Sequence, residues 1–138
     1  MKYVLDANIA IGALNRIEAV QQALSDVPAP EVGVPILALA ELYFGAYKSV
    51  RRDENLARLR ALAASLTVLP VTDTVVDLYG QTRAALERRG LVKTDFDLVI
   101  ACTALSLNAT LVTNDQSLLD GSIPNLQTEN WLSDTNPR

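Results

Sequence analysis

The sequence predicts an α/β fold, a three-layer α/β/α sandwich whose central, mainly parallel sheet has about five strands. Short β-branched or apolar runs alternate with longer helical patterns along the chain, the signature of parallel strands joined by right-handed helical crossovers. Hydrophobic residues make up 49% of the chain and aromatics only 5%, so the core is Leu, Val, Ile and Ala, which suits helices covering a buried sheet. No internal repeat, low-complexity tract or linker breaks the 138 residues, which suit a single domain spanning 1–138. A chain of this length buries roughly two-thirds of the surface its unfolded form exposes.

In chain order, Lys2 to Leu5 reads as the first strand, followed by helices over Ile9 to Leu14 and Ile17 to Ser25. Val32 to Pro35 reads as the second strand, and it feeds the most apolar helix of the chain, Ile36 to Ser49. A helix over Asp53 to Ser65 leads to a third strand, Thr67 to Val71. The next helix runs from Thr74 to Arg89, with Gly90 as its cap, and another from Asp95 to Leu107, with Asn108 as its stop. Thr110 to Thr113 is the fourth strand, and Leu126 to Glu129 gives a weaker fifth. In open α/β sheets ligands bind beyond the carboxyl ends of the strands, near a reversal of strand order.

Composition removes several chemistries. Histidine is absent, which excludes Ser-His-Asp and Cys-His catalysis and histidine-ligated zinc. The single cysteine, Cys102, lies in an apolar run and cannot form an internal disulfide, so a reduced, cytoplasmic setting is expected. Asp6 interrupts the apolar start too early for a secretory signal. The uncharged stretch from Leu98 to Asn114 is shorter than the ~20 residues a membrane span needs. A net charge of −4 does not advertise a nucleic-acid binder, although Lys48, Arg51, Arg52, Arg58 and Arg60 fall in one window and Arg83, Arg88, Arg89 and Lys93 in another.

Any catalysis therefore rests on carboxylates. Asp6 follows Tyr3-Val4-Leu5 and Asp115 follows Leu111-Val112-Thr113, each just beyond a strand; each also suits a turn or a helix cap. Asn8 either caps the next helix or holds a carboxylate in position. Glu41 sits in PILALAELYFGAY with Leu37, Ala38, Phe44 and Gly45 as helical neighbours and no cation within reach, Lys48 being two turns away. Asp97 has capping-box spacing from Thr94, and capping does not prevent ligation. If the strands are neighbours these acids converge. Two unit charges ~4 Å apart repel by about 4 kcal/mol at an effective dielectric near 20, so the cluster needs a cation or raised pKa values. An all-oxygen donor set favours Mg²⁺ or Mn²⁺.

YVLDAN, LAELYFGA, DLVIACTAL and LVTND, in this order and spacing, resemble the PIN-domain ribonucleases, in particular the VapC-type toxins of prokaryotic toxin–antitoxin pairs. The resemblance extends to LQTENW and covers almost the whole chain. It implies a PIN-like sandwich and a Mg²⁺- or Mn²⁺-dependent endoribonuclease whose acids Asp6, Glu41, Asp97 and Asp115 surround the metal. Asn8 and Thr113 would organise those acids or stand on the site rim, with Asp95 as an auxiliary residue. Asp115 or Glu41 would orient or deprotonate the attacking water. Ala7 departs from the Ser or Thr common in the family, which removes a supporting hydrogen bond and leaves the ligand set intact.

The resemblance further implies an RNA substrate and a cognate antitoxin whose tail covers the acidic groove. The helix around Leu42, Tyr43, Phe44 and Tyr47 is a surface for that partner or for a homodimer, and Lys48, Arg51 and Arg52 are candidate RNA contacts. Two other readings compete. A phosphoacceptor signalling domain needs adjacent acids after the first strand, an acceptor Asp after a central strand and a late Lys, none of which is in place. A catalytically silent PIN-like scaffold that binds RNA or protein would not require all four acids.

Overall fold

The computed structural model describes residues 1–132, so the last six residues of the expected 1–138 unit lie outside it. Five strands form one fully parallel sheet: β1 (Tyr3–Leu5), β2 (Val32–Pro35), β3 (Thr67–Leu69), β4 (Thr110–Val112) and β5 (Thr128–Glu129). Their order is β3-β2-β1-β4-β5. The chain moves outward from β1 through β2 to β3, then returns to β4 on the other side of β1. The strand order therefore reverses between β1 and β4, and right-handed crossovers place the helices before and after that reversal on opposite faces. Side chains of consecutive strand residues point to opposite faces, yet Val4, Leu5, Leu111 and Val112 are all fully buried. Both faces are covered.

The helices are α1 (Ala7–Leu14), α2 (Glu18–Ser25), α3 (Ile36–Tyr47), α4 (Arg52–Ser65), α5 (Asp73–Arg88), α6 (Asp95–Ser106) and α7 (Gln116–Leu119), with a 3-10 turn at Ala29–Glu31. Helices α1 to α4 pack among themselves, α4 on α3 most extensively, while α5 lies along α6. Gly90 and Asn108 end α5 and α6 in the left-handed conformation, with φ of 72° and 51°. In both, the next amide reaches back five residues, Leu91 N to Leu86 O and Ala109 N to Ala104 O, which satisfies carbonyls the helix leaves open. Gly33 in β2 is required by its neighbour, since a Cβ there would come within 2.8 Å of Leu69 Cδ1.

The departures from expectation are local. β3 stops at Leu69 because Pro70 has no N–H to extend a ladder. α1 starts two residues earlier than expected because Asp6 caps it. α7 was not expected, since four residues carry no readable period. Trp131 is buried edge-on to Tyr3, with ring centres 5.1 Å apart, and its Nε1–H donates to Glu129 at 2.9 Å. The strand order differs from the 2-1-3-4-5 order of flavodoxin-like phosphoacceptor domains, which removes that reading. Among the described residues no helix is long and apolar enough to cross a membrane.

Candidate active site

The parallel pairing of β1 with β4 sets Asp6 beside Thr113 at the strand-order reversal. Asp6 is 6% exposed, and both its carboxylate oxygens are engaged. Oδ1 accepts the Ala7 amide at 2.8 Å as the N-cap of α1. Oδ2 accepts the Thr113 hydroxyl at 2.7 Å across the two strands. That hydroxyl, itself fully buried, accepts the Asp115 amide at 3.1 Å. One hydroxyl thus ties the end of β1 to the turn after β4. The Asp115 carboxylate accepts the Ser117 amide at 2.9 Å and caps α7. Asn8 Nδ2 donates to Asn114 Oδ1 at 3.1 Å, a second link between the same two loops.

Two helices supply the remaining acids. Asp97 stands in the first turn of α6, where its amide donates to the Thr94 hydroxyl at 3.2 Å. The capping role and a place in the site coexist there. Glu41 projects from the middle of α3. Its apolar helical neighbours do not submerge it: Glu41 is exposed at the pocket mouth, because α3 is apolar around much of its circumference and only part of it meets the core. Asp6, Asn8, Glu41, Asp97, Asn114, Asp115 and Gln116 with Ala7 line one open pocket of about 390 Å³. No Lys or Arg lines it.

The electrostatics follow from that lining. Burial raises the Asp6 carboxyl above the ordinary range against the pull of Thr113 and the Ala7 amide, with the Asp115 charge adding to the rise. Burial also raises Asp97, opposed by Thr94 and reinforced by Asp115 and Asp6. Glu41 is raised first by its partial burial against the pocket wall and then by the charges of Asp6, Asp97 and Asp115. A hard divalent cation suits this all-oxygen, cation-free donor set. No three of the acids already stand gathered in ligating position among the described residues.

A family model described as the PIN domain matches residues 3–121, which includes all four acids. The chain belongs to the PIN-domain family. It is similar to ribonuclease VapC2 of Rickettsia felis, 34% identical over 133 residues that cover 95% of this chain and 98% of that one. It is 30% identical to the tRNA(fMet)-specific endonuclease VapC of Shigella flexneri over 95% of this chain and 98% of that one. The crystal structure of VapBC2 from Rickettsia felis bound to a promoter DNA fragment superposes with a TM-score of 0.82 at 32% identity, covering 95% of this chain and 99% of that one.

In this PIN domain the structure brings Asp6, Glu41, Asp97, Asp115, Asn8 and Thr113 together and leaves other candidates outside. Asp95 is corrected: its Oδ1 accepts the Tyr79 hydroxyl at 2.6 Å and Arg83 Nη1 at 3.2 Å, so the α5 side holds it away from the pocket. Asn8 holds Asn114, not a carboxylate. Lys48 Nζ lies 4.9 Å above the Phe44 ring, and Arg51 and Arg52 stand 3.6 and 3.5 Å from Glu54 and Asp53 in exposed pairs. None of the three lines the pocket. On α3, Phe44 and Tyr47 are 66% and 56% exposed whereas Leu42 is buried, so only the first two offer a free surface. Asn114 and Gln116 were not anticipated, although both flank Asp115, a position that could have flagged them.

Proposed function

We propose that this PIN domain is a divalent-metal-dependent endoribonuclease and the toxin of a toxin–antitoxin pair. The observation that carries the reading is a single open pocket at the strand-order reversal, lined by four carboxylates and no cation. Asp6, Asp97, Glu41 and Asp115 would hold Mg²⁺, or Mn²⁺ in its place. The bound cation supplies positive charge that offsets the acids and the phosphate and makes nearby water more acidic.

Asp6 is the fixed point of the site, since Ala7 and Thr113 hold both its oxygens. Asp97 faces it from a capped helical turn, so the phosphate is positioned between rigid elements. Glu41, at the solvent mouth, or Asp115 would orient the attacking water or take its proton. The water oxygen bonds to phosphorus as the bond to the leaving ribose oxygen breaks, and that oxygen takes up a proton from solvent. Arg51 and Arg52 would contact backbone phosphates beyond the pocket.

The similar VapBC2 assembly of Rickettsia felis supports a cognate antitoxin as partner. Exposed Phe44 and Tyr47 are the surface offered to that antitoxin or to a second copy in a homodimer. A reduced cytoplasm suits the lone buried Cys102. The deciding experiment incubates purified protein with cellular RNA in Mg²⁺, in Mn²⁺ and in EDTA, and maps the new ends. Cleavage that needs metal and disappears in Asp6→Asn is expected. Cleavage that persists in EDTA would overturn the metal dependence, and no cleavage with any RNA fraction would favour a silent RNA- or protein-binding scaffold instead.

A further inference from the structure

Consecutive side chains leave a helix about 100° apart, and the three that open α6 face three ways. Asp95 is turned to Tyr79 and Arg83 of α5. Asp97 lines the acid pocket. Phe96, between them, is 43% exposed and outside the core cluster. The turn that presents this ring is held twice over, by the Asp95 contacts to α5 and by the Thr94 cap on the Asp97 amide. An exposed aromatic fixed beside a phosphate-cleaving pocket has the form of a base-stacking platform.

The charge balance gives the ring a task. A protein of net charge −4 with four acids in its pocket repels the substrate it must hold. The nearby basic candidates Arg51 and Arg52 already stand against Glu54 and Asp53. Contacts that do not depend on charge, stacking among them, then add to the grip on the strand. The other exposed aromatics, Phe44 and Tyr47, lie on α3 past Glu41, the former under Lys48. Phe96 directly precedes Asp97, an acid that lines the pocket, and no cation stands over its ring among the described residues.

We propose that Phe96 stacks on an unpaired RNA base beside the phosphate being cut. The inference rests on the nuclease reading above and makes the substrate locally single-stranded at the cut. It is tested in an Asp6→Asn background, which keeps the strand intact, by fluorescence anisotropy with a labelled single-stranded RNA of about 12 nucleotides and with an abasic ribose-phosphate strand of equal length. Phe96→Ala should weaken RNA binding about 5- to 150-fold, the loss expected for one stacked base. Phe96→Trp should retain affinity, Phe96→Leu should behave like Ala, and the abasic strand should bind all four proteins alike. Mn²⁺ binding measured by calorimetry in the chain with Asp6 intact should not change on Phe96→Ala. Equal RNA affinity of Phe96→Ala and its parent would overturn the proposal while leaving the nuclease reading in place. An equal loss on the abasic strand, or a loss confined to self-association or antitoxin binding, would do the same. A parent that neither binds nor cuts RNA would remove both.

Discussion

Asp95 and Asp97 are two residues apart on one helical turn, and they live in opposite electrostatic worlds. Asp95 has an arginine and a tyrosine hydroxyl on its carboxylate. Asp97 has three other acids around its pocket and a carboxyl pushed upward by burial and by Asp115 and Asp6. Asp120 repeats the first case: Ser122 and Lys93 hold its carboxyl down to about 2. Carboxylates that serve the fold are therefore given donors and cations, and those facing the pocket are denied cations. Clustered carboxylates without a cation, partly buried in one pocket, mark where a ligand is meant to sit.

The largest test of that contrast is the pair itself. Asp97→Asn should reduce RNA cleavage by roughly 10³-fold or more, whereas Asp95→Asn should keep it within about tenfold, as followed by gel with a fixed RNA fraction. Equal losses in the two variants would erase the distinction. Next, saturating Mg²⁺ or Mn²⁺ at about 100 times its dissociation constant should stabilise the wild type by about 2.7 kcal/mol. Thermal melts should show that shift in the wild type and a reduced one in Asp97→Asn.

The two groups of acids should also respond to pH with opposite sign. Raised carboxyls at Asp6, Glu41 and Asp97 mean that the metal-free fold loses stability as pH climbs from the ordinary carboxylate range through their raised values. Asp120 works the other way, its contribution present above the ordinary value and lost as pH falls toward about 2. In EDTA, Asp6→Asn should then be more stable than wild type by a margin that widens from about pH 4 to about pH 8 in urea titrations. A margin that narrows over that range would contradict the origin assigned to the shifts. Lys93, whose side chain is 5% exposed, donates to the Ser117 carbonyl and to Asp120 at 3.0 Å. Lys93→Met should cost roughly 1–2 kcal/mol through the unpaired groups left behind. The smallest effect concerns Arg51 and Arg52, where a double Ala variant should flatten the salt slope of single-strand binding by about 1.4 if each meets one phosphate.

Much of this was legible in residue order. Alternating patterns placed the strands and their parallel sense, and Gly90 and Asn108 marked helix ends because a left-handed position selects those residue types. Asp6 and Asp115 were recognisable from their places just past strand ends. What residue order could not carry was direction. Asp95 and Asp97 look alike on paper, and only the packing of α5 against α6 decides that one meets Arg83 and the other the pocket. Glu41 has apolar helical neighbours, yet the way α3 sits leaves that side chain at the surface. The four residues of α7 were invisible for want of a period.

The Thr113 hydroxyl joins residues 107 positions apart in the chain. No nascent fragment that lacks β4 can own a cutting edge, however well its early helices have formed. Activity therefore arrives late and all at once as the polypeptide emerges, because the last inner strand must slot in beside the first before Asp6 finds its partner.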